Sequence, residues 1–472
     1  MLSRTRRTAR ARAVLAVLSA GVLMSCVGER QPLPPTELPV VVRAAVAPGP
    51  YNVLSAVVTA ASLFADSALV RYGPAGGELD SVTPAVMVVG DQVQLPVLGL
   101  LPETAYQLQV LAYGAGIAAT SDTLRFMTGP LPADLPAYSA GGGDPSPGYV
   151  VFGAYPYGIV IDNTGRVVWY RHLDGGSALN FEVEPTGRYA TSPISPLPGD
   201  PTPWVEFDAL GTPIRRLGCA DGLVARFHDL LEEPDGSYWI MCDDTRIMDL
   251  TPYGGMPSAA VTGTVVQHID AAGGRVFSWS VFDHFSITDL DSASRGGAVV
   301  NWTHGNAIDF DSDGGLLVSF RSLSEITKID VATGAVRWRL GGRANQFVLS
   351  GTAAPFVGQH GLRVLGPGRL LLLDNRGLAS GSRAERYLID ESGHTATLEG
   401  SYSALPSVTA ILGGSTQRLP GSRVLVAYGN GNRVQEYDAT GRVTWEIHGN
   451  PGYVFRATRI ISLYRPGVGV PR

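Results

Sequence analysis

Short runs of Val, Ile, Leu and Tyr, some alternating with polar residues and some unbroken, recur along the chain between turns built from Gly, Asp, Asn and Pro. No long stretch repeats its apolar residues at 3.6 spacing, so the pattern predicts strands almost throughout and an all-β fold. Residues 40–130 read as a small β-sandwich. Ala56-Val57-Val58-Thr59, Ser67-Ala68-Leu69-Val70-Arg71-Tyr72-Gly73 and Gln107-Leu108-Gln109-Val110 are its clearest strands, and Leu124-Arg125-Phe126 closes the set. Residues 131–147 form a Pro/Gly linker.

From residue 148 to 472 the chain repeats itself. An Asp, a Gly-containing turn and an alternating run that often ends in Trp occur as Asp162 to Trp169, Asp330 to Trp338 and Asp438 to Trp445, with weaker copies beginning at Asp208, Asp270 and Asp390. Such periodicity marks six units of one hairpin-based element. A second hairpin turn lies between them, at Pro185-Thr186-Gly187, Pro234-Asp235-Gly236, Asp313-Gly314-Gly315, Pro367-Gly368 and Pro420-Gly421. Two hairpins per unit make a four-stranded blade, and six blades close into a β-propeller around a channel. The sixth copy of the second turn is missing, and Gly142 to Tyr149 is expected to supply the strand that joins the ends of the ring. In the sandwich, Leu98 to Tyr106 resembles the corner of a fibronectin type III or Ig-like domain, where a Tyr at the start of a late strand ties back to the preceding turn.

Hydrophobic residues make up 45% of the 472 and charged residues 17%, enough for a large core and more than one folded unit. The net charge of -6 and the lack of a basic block beyond the first dozen residues argue against a nucleic-acid surface and for small-molecule partners. That first stretch is read as a signal peptide, residues 1–25: Arg4, Arg6, Arg7, Arg10 and Arg12 precede an apolar run from Ala13 to Met24 that is too short to span a bilayer. Leu23-Met24-Ser25-Cys26 resembles the lipobox of bacterial lipoproteins. The resemblance implies cleavage before Cys26 and lipidation of its thiol, with membrane contact through that lipid only. Val27 in place of an Asp implies an outer-membrane anchor facing the periplasm, and residues 26–39 become a Pro-rich stalk. The alternative is an ordinary signal peptide with a stray cysteine. Cys219 and Cys242 remain, either as a disulfide of an oxidising compartment or as two buried thiols.

The repeat supplies a register for the polar residues. His228, Asn306 and His360 each lie eight positions before the turn glycines Gly236, Gly314 and Gly368, so their side chains are expected to meet on the axis. His304, two residues before Asn306, is expected on the same face of an extended strand. Arg321, seven after Gly314, is expected beside Asn306 on the returning strand. His172, His268, His284, His394 and His448 lack this recurrence and are read as structural. Three histidines could hold zinc, but Arg321 would set a permanent cation beside the ion and no carboxylate in register completes the set. The constellation suits an anion and no metal.

These residues carry a resemblance. Trp302-Thr303-His304-Gly305-Asn306-Ala307-Ile308, Leu317 to Ser322, Ile329 to Gly342, and Gln359-His360-Gly361 through Leu373-Asp374-Asn375 are similar, in that order, to the bacterial arylsulfate sulfotransferases. The resemblance implies a six-bladed propeller enzyme that needs no cofactor and moves a sulfuryl group from a phenolic sulfate ester to a phenol by a ping-pong route. It implies that His360 is the nucleophile that becomes a sulfohistidine, that His228 is a second active-site histidine, and that His304, Asn306 and Arg321 hold the sulfuryl oxygens and the departing phenolate. Phe320 stands where many family patterns carry a small polar residue, and the two cysteines lie in an early blade, away from His360. A neutral imidazole attacking sulfur beside a fixed guanidinium is chemically sufficient for such a transfer. The alternatives are a non-catalytic binding or scaffold lipoprotein and a quinoprotein-like oxidoreductase, whose propellers carry a similar Trp repeat. A homodimer is compatible with the sequence.

Overall fold

The computed structural model describes residues 37–173, 178–193, 200, 202–352, 354–376 and 381–471. It is all-β, with five short 3-10 turns as its only helical elements among the described residues. Cys26, the signal peptide and most of the stalk lie outside them.

The N-terminal unit pairs two sheets. One orders Val40–Pro48, Ser55–Leu63 and Gln92–Leu98; the other is built on Ser67–Pro74 and Ala105–Gly114, with short strands on both. Alternation decides what is inside: Ala56, Val58 and Ala60 face Leu108, Val110 and Ala112 across one buried core. The Tyr106 hydroxyl accepts the Leu101 N–H at 2.8 Å. This unit rests on the next one, where the Val53 N–H reaches the Tyr170 hydroxyl, the Leu98 N–H reaches that of Tyr464, and the Arg171 guanidinium covers the Tyr51 ring at 3.9 Å.

Six further sheets follow, antiparallel except for two short added strands. Their leading strands are Ala457–Ile460 for the first sheet, then Asn180–Glu184, Val224–Glu232, Gly305–Phe310, His360–Gly366 and Ser415–Leu419. Each leading strand packs on the next, and Ser415–Leu419 packs on Ala457–Ile460, so the succession of contacts returns to its start.

The repeated Asp and Gly explain themselves in the outer hairpin turns. Asp162 Oδ1 accepts from the N–H groups of Thr164 and Arg166, and Asp438 does the same for Thr440 and Arg442. Gly165 and Gly441 take the positive φ these turns demand, 90° and 85°. The Trp of the repeat joins neighbouring sheets: Trp169 Nε1 donates to Ala209, Trp279 Nε1 to Gly334 and Trp445 Nε1 to Asn163, each acceptor being a turn carbonyl of the following sheet.

The expected closure is corrected. Gly142 to Tyr149 is not the closing strand. Ala140–Gly141 forms the outer edge of the sixth sheet on Val443–Ile447, and Ala457–Ile460 forms the leading strand of the first sheet on Tyr149–Ala154. The first sheet thus takes its leading strand from the far end of the chain, which is why the sixth copy of the second turn does not exist in the sequence.

Candidate active site

His228 and His360, on the leading strands of the third and fifth sheets, come together with His304, just before that of the fourth, with a ligand nitrogen of each within 4.8 Å of the others. All three sit where strand pairing is interrupted. Register shifts between Ala225 and Leu230 around His228, and between His360 and Arg363 just after His360. His304 precedes its strand and has φ 51°, a left-handed conformation held by Arg321 N–H on its carbonyl (3.0 Å) and Ser322 N–H on that of Thr303 (3.2 Å). After His360, Gly361 has φ 58°, and a Cβ there would stand 2.6 Å from Ser415 Cα, so only glycine fits.

Two details of the expected register are therefore corrected. His304 does not reach the cluster by extended-strand alternation with Asn306; the bulge between Gly305 and Ala307 re-aims it. Arg321 lies beside His304, not beside Asn306, because the same bulge offsets the pairing. Asn306 is buried and donates its amide to the Gln359 carbonyl at 2.6 Å, tying the fourth sheet to the fifth. Its Oδ1 has no partner among the described residues, nor has Arg321 Nε or His228 Nδ1. Arg321 Nη2 is anchored on the Ile411 carbonyl at 3.0 Å.

The imidazoles interact in different ways. His304 and His228 face each other through their Nε2 atoms at 3.1 Å, and His304 Nδ1 meets the exposed Asn301 amide at 2.7 Å. His360 Nδ1 lies 2.9 Å from Asn375 Oδ1 and 3.1 Å from the Gly358 carbonyl. Burial holds the His228 and His304 pKa values well below the ordinary imidazole range, helped by the Arg226 charge. Burial likewise pushes His360 down to about 4, with the Asn375 hydrogen bond pulling the other way and the Arg321 charge adding to the fall. All three are neutral near pH 7 in the free protein. Burial also lowers Arg321, which keeps its charge at any working pH.

Apolar rings flank this polar group. Phe227 lies against His228 at 4.1 Å between centroids, and Phe455 presents its ring to His228 at 5.7 Å and to His360 at 6.4 Å. Behind them a buried ionic layer crosses between the leading strands. Asp229 accepts from Arg363 at 3.0 Å, Arg456 at 3.0 Å and the Ile308 N–H at 3.0 Å. Arg456 also holds the His228 carbonyl at 2.7 Å and pairs with Glu182 at 3.0 Å. Buried charges so paired fix the backbone that carries His228.

The remaining candidates lie elsewhere. Cys219 and Cys242 form a disulfide with Cα atoms 6.2 Å apart, Cys242 pairing with Ala225 on the strand that carries His228. His268 stacks on Trp239 and His284 on Trp279, His172 packs on Tyr157, His394 on Phe347, and His448 meets Ser139.

Sequence reasoning assigned no role to Asn375, Phe455, Asp229, Arg363 or Arg456. A signal for Asn375 was present, since it follows Gly368 by seven positions as Arg321 follows Gly314.

None of the curated proteins matches the chain. Among solved structures it is similar to a protein from Bacteroides caccae, at 12% identity and TM-score 0.44 over 66% of this chain and 98% of that one. It is also similar to a streptogramin B lyase, at 13% identity and TM-score 0.38 over 67% and 85%. A catalytically inactive virginiamycin B lyase from Staphylococcus aureus with quinupristin gives 9% identity and TM-score 0.36 over 65% and 87%. Residues 222–450 match the family model of the arylsulfotransferases (ASST). That span contains the three clustered histidines and Arg321, and in it the chain is similar to the arylsulfotransferases, which supports a sulfotransferase function in general terms.

Proposed function

We propose that the protein is an aryl-sulfate sulfotransferase that moves a sulfuryl group from a phenolic sulfate ester to a phenol through a sulfohistidine at His360. The observation that carries this reading is the convergence of three neutral imidazoles, two buried and one half-buried, near a guanidinium whose Nε has no partner among the described residues. A sulfate ester offers the anionic oxygens such a cluster lacks, and the Phe227 and Phe455 rings suit its aryl part.

In this reading His360 attacks sulfur with a ring lone pair, the S–N bond forms, and the bond from sulfur to the aryl oxygen breaks. Arg321 and the Asn306 side chain hold the oxygens. The leaving phenolate takes a proton from the His228–His304 pair. Because burial disfavours an imidazolium there, the pair takes up that proton together with the substrate anion, whose charge balances it. A second phenol enters, returns the proton to the pair, attacks sulfur and frees His360.

The same reading makes the six C-terminal sheets a six-bladed propeller and the N-terminal unit, with its Tyr106 corner, a fibronectin-III-like sandwich. It makes the chain a lipoprotein held through Cys26 on the periplasmic side of an outer membrane. Its partners are then aryl sulfates and phenols.

With 4-nitrophenyl sulfate and excess phenol, the expected result is nitrophenolate release together with a protein species heavier by one SO3, mapped to His360 by fragment mass analysis. His360→Ala should give neither. A wild-type protein that releases no nitrophenolate and gains no SO3 would overturn the reading. The nitrogens would also permit a metal centre, against which Arg321 argues by its charge; activity lost to a chelator and restored by one metal ion would favour that rival.

A further inference from the structure

Three imidazoles meet at the site, yet chemically they are not equivalent. A neutral imidazole carries one hydrogen, and only a ring nitrogen that lacks it can attack sulfur. What surrounds the other nitrogen therefore decides which histidine can act.

Asn375 is buried just after strand Arg369–Asp374 of the fifth sheet, and its orientation is fixed from outside the site. Its Nδ2 lies 2.7 Å from the Ala410 carbonyl and 3.0 Å from that of Gly413. Carbonyls only accept, so the amide nitrogen must face them and Oδ1 must face His360. Ser382 reinforces this: its hydroxyl reaches the Asn375 carbonyl at 3.1 Å and takes the Ala410 N–H at 2.8 Å. His360 Nδ1 thus sits between two acceptors, Asn375 Oδ1 and the Gly358 carbonyl, and must carry the hydrogen. The lone pair is left on Nε2, where no protein group binds it among the described residues.

His228 and His304 lack this arrangement. Their Nε2 atoms face each other at 3.1 Å, so one must donate to the other and neither offers an unengaged Nε2 pair. His304 Nδ1 rests on the amide of the exposed Asn301. We propose that Asn375 is the positioning residue that selects His360 as the nucleophile, by binding its Nδ1 hydrogen and presenting the Nε2 lone pair to the sulfur. This rests on the sulfuryl-transfer reading and deepens it. An amide serves where a carboxylate would not, because it orients the ring without a charge that would hold a second proton on it.

Two variants and one spectrum test the assignment. Asn375→Ala should lower kcat for nitrophenolate release by about ten- to hundredfold with KM changed less than about twofold, since the ring loses its orientation and not its substrate contacts. Asn375→Asp keeps an acceptor and adds a charge, so the acidic limb of its kcat/KM profile should move to higher pH than that of wild type. Nitrogen-15 NMR of histidine-labelled wild type, with His360 assigned by its loss in His360→Gln, should give a protonated Nδ1 and an unprotonated Nε2. A His360 signal with the opposite tautomer overturns the proposal even if neither variant folds. SO3 transfer to His360 at wild-type rate in a folded Asn375→Ala overturns it while leaving the transfer reading intact. Wild type that forms no SO3 adduct removes the reading, and the proposal falls with it.

Discussion

An imidazole held away from bulk water resists protonation, and three of them together tie the fold to pH. His228, His304 and His360 are all lowered by burial, His360 to about 4 from an ordinary value near 6.5. Between those values the unfolded chain binds more protons than the folded one, so stability rises with pH across that window and is lost as pH falls through it. Urea midpoints measured from pH 4 to 7 should show this slope, and His360→Gln should flatten part of it. The same depression sets the expected activity profile: the His360 lone pair persists well below pH 6.5, so kcat/KM should lose its nucleophile only near pH 4. An acidic limb at 6.5 would mean that substrate access to His360 does not require the burial seen here.

At the scale of elements, the Trp residues of the repeat differ in what their indole N–H meets. Trp169, Trp279 and Trp445 each donate to a turn carbonyl of the next sheet, whereas Trp338 Nε1 has no partner among the described residues. Replacement by Phe should therefore cost about 1 kcal/mol more at Trp445 than at Trp338, because only the former loses a hydrogen bond, to a half-buried turn carbonyl; denaturant titration of the two variants reads the difference. The repeat that revealed these elements also revealed most of the site. His228, His360, Asn306 and Arg321 were legible because turn glycines set a common origin for counting. Counting failed at the bulges, which add residues without advancing the strand, so His304 arrived by a left-handed turn and Arg321 landed beside it. The Asp229–Arg363–Arg456 layer was illegible because its partners come from three sheets with no shared spacing, and a buried ion pair looks in sequence like any charged residue on a strand.

For the molecule as a whole, the ends of the chain matter more than their length suggests. Ala457–Ile460 is the leading strand of the first sheet, and Phe455 and Arg456 just before it reach the histidines and Asp229. Deleting residues 457–472 should abolish cooperative unfolding and the SO3 adduct together, as followed by circular dichroism and intact mass. If the shortened chain melts as sharply as the full one, Ala457–Ile460 is an ornament and not a closure. Synthesis runs from the N-terminus, so Tyr149–Ala154 is made about three hundred residues before the partner that covers one of its edges. Through that interval it presents bare N–H and C=O groups to any passing strand. A ribosome that stalls before Ala457 thus releases a chain that is sticky at a strand made long before. Its yield depends less on how tightly the finished fold holds than on how soon Ala457–Ile460 arrives.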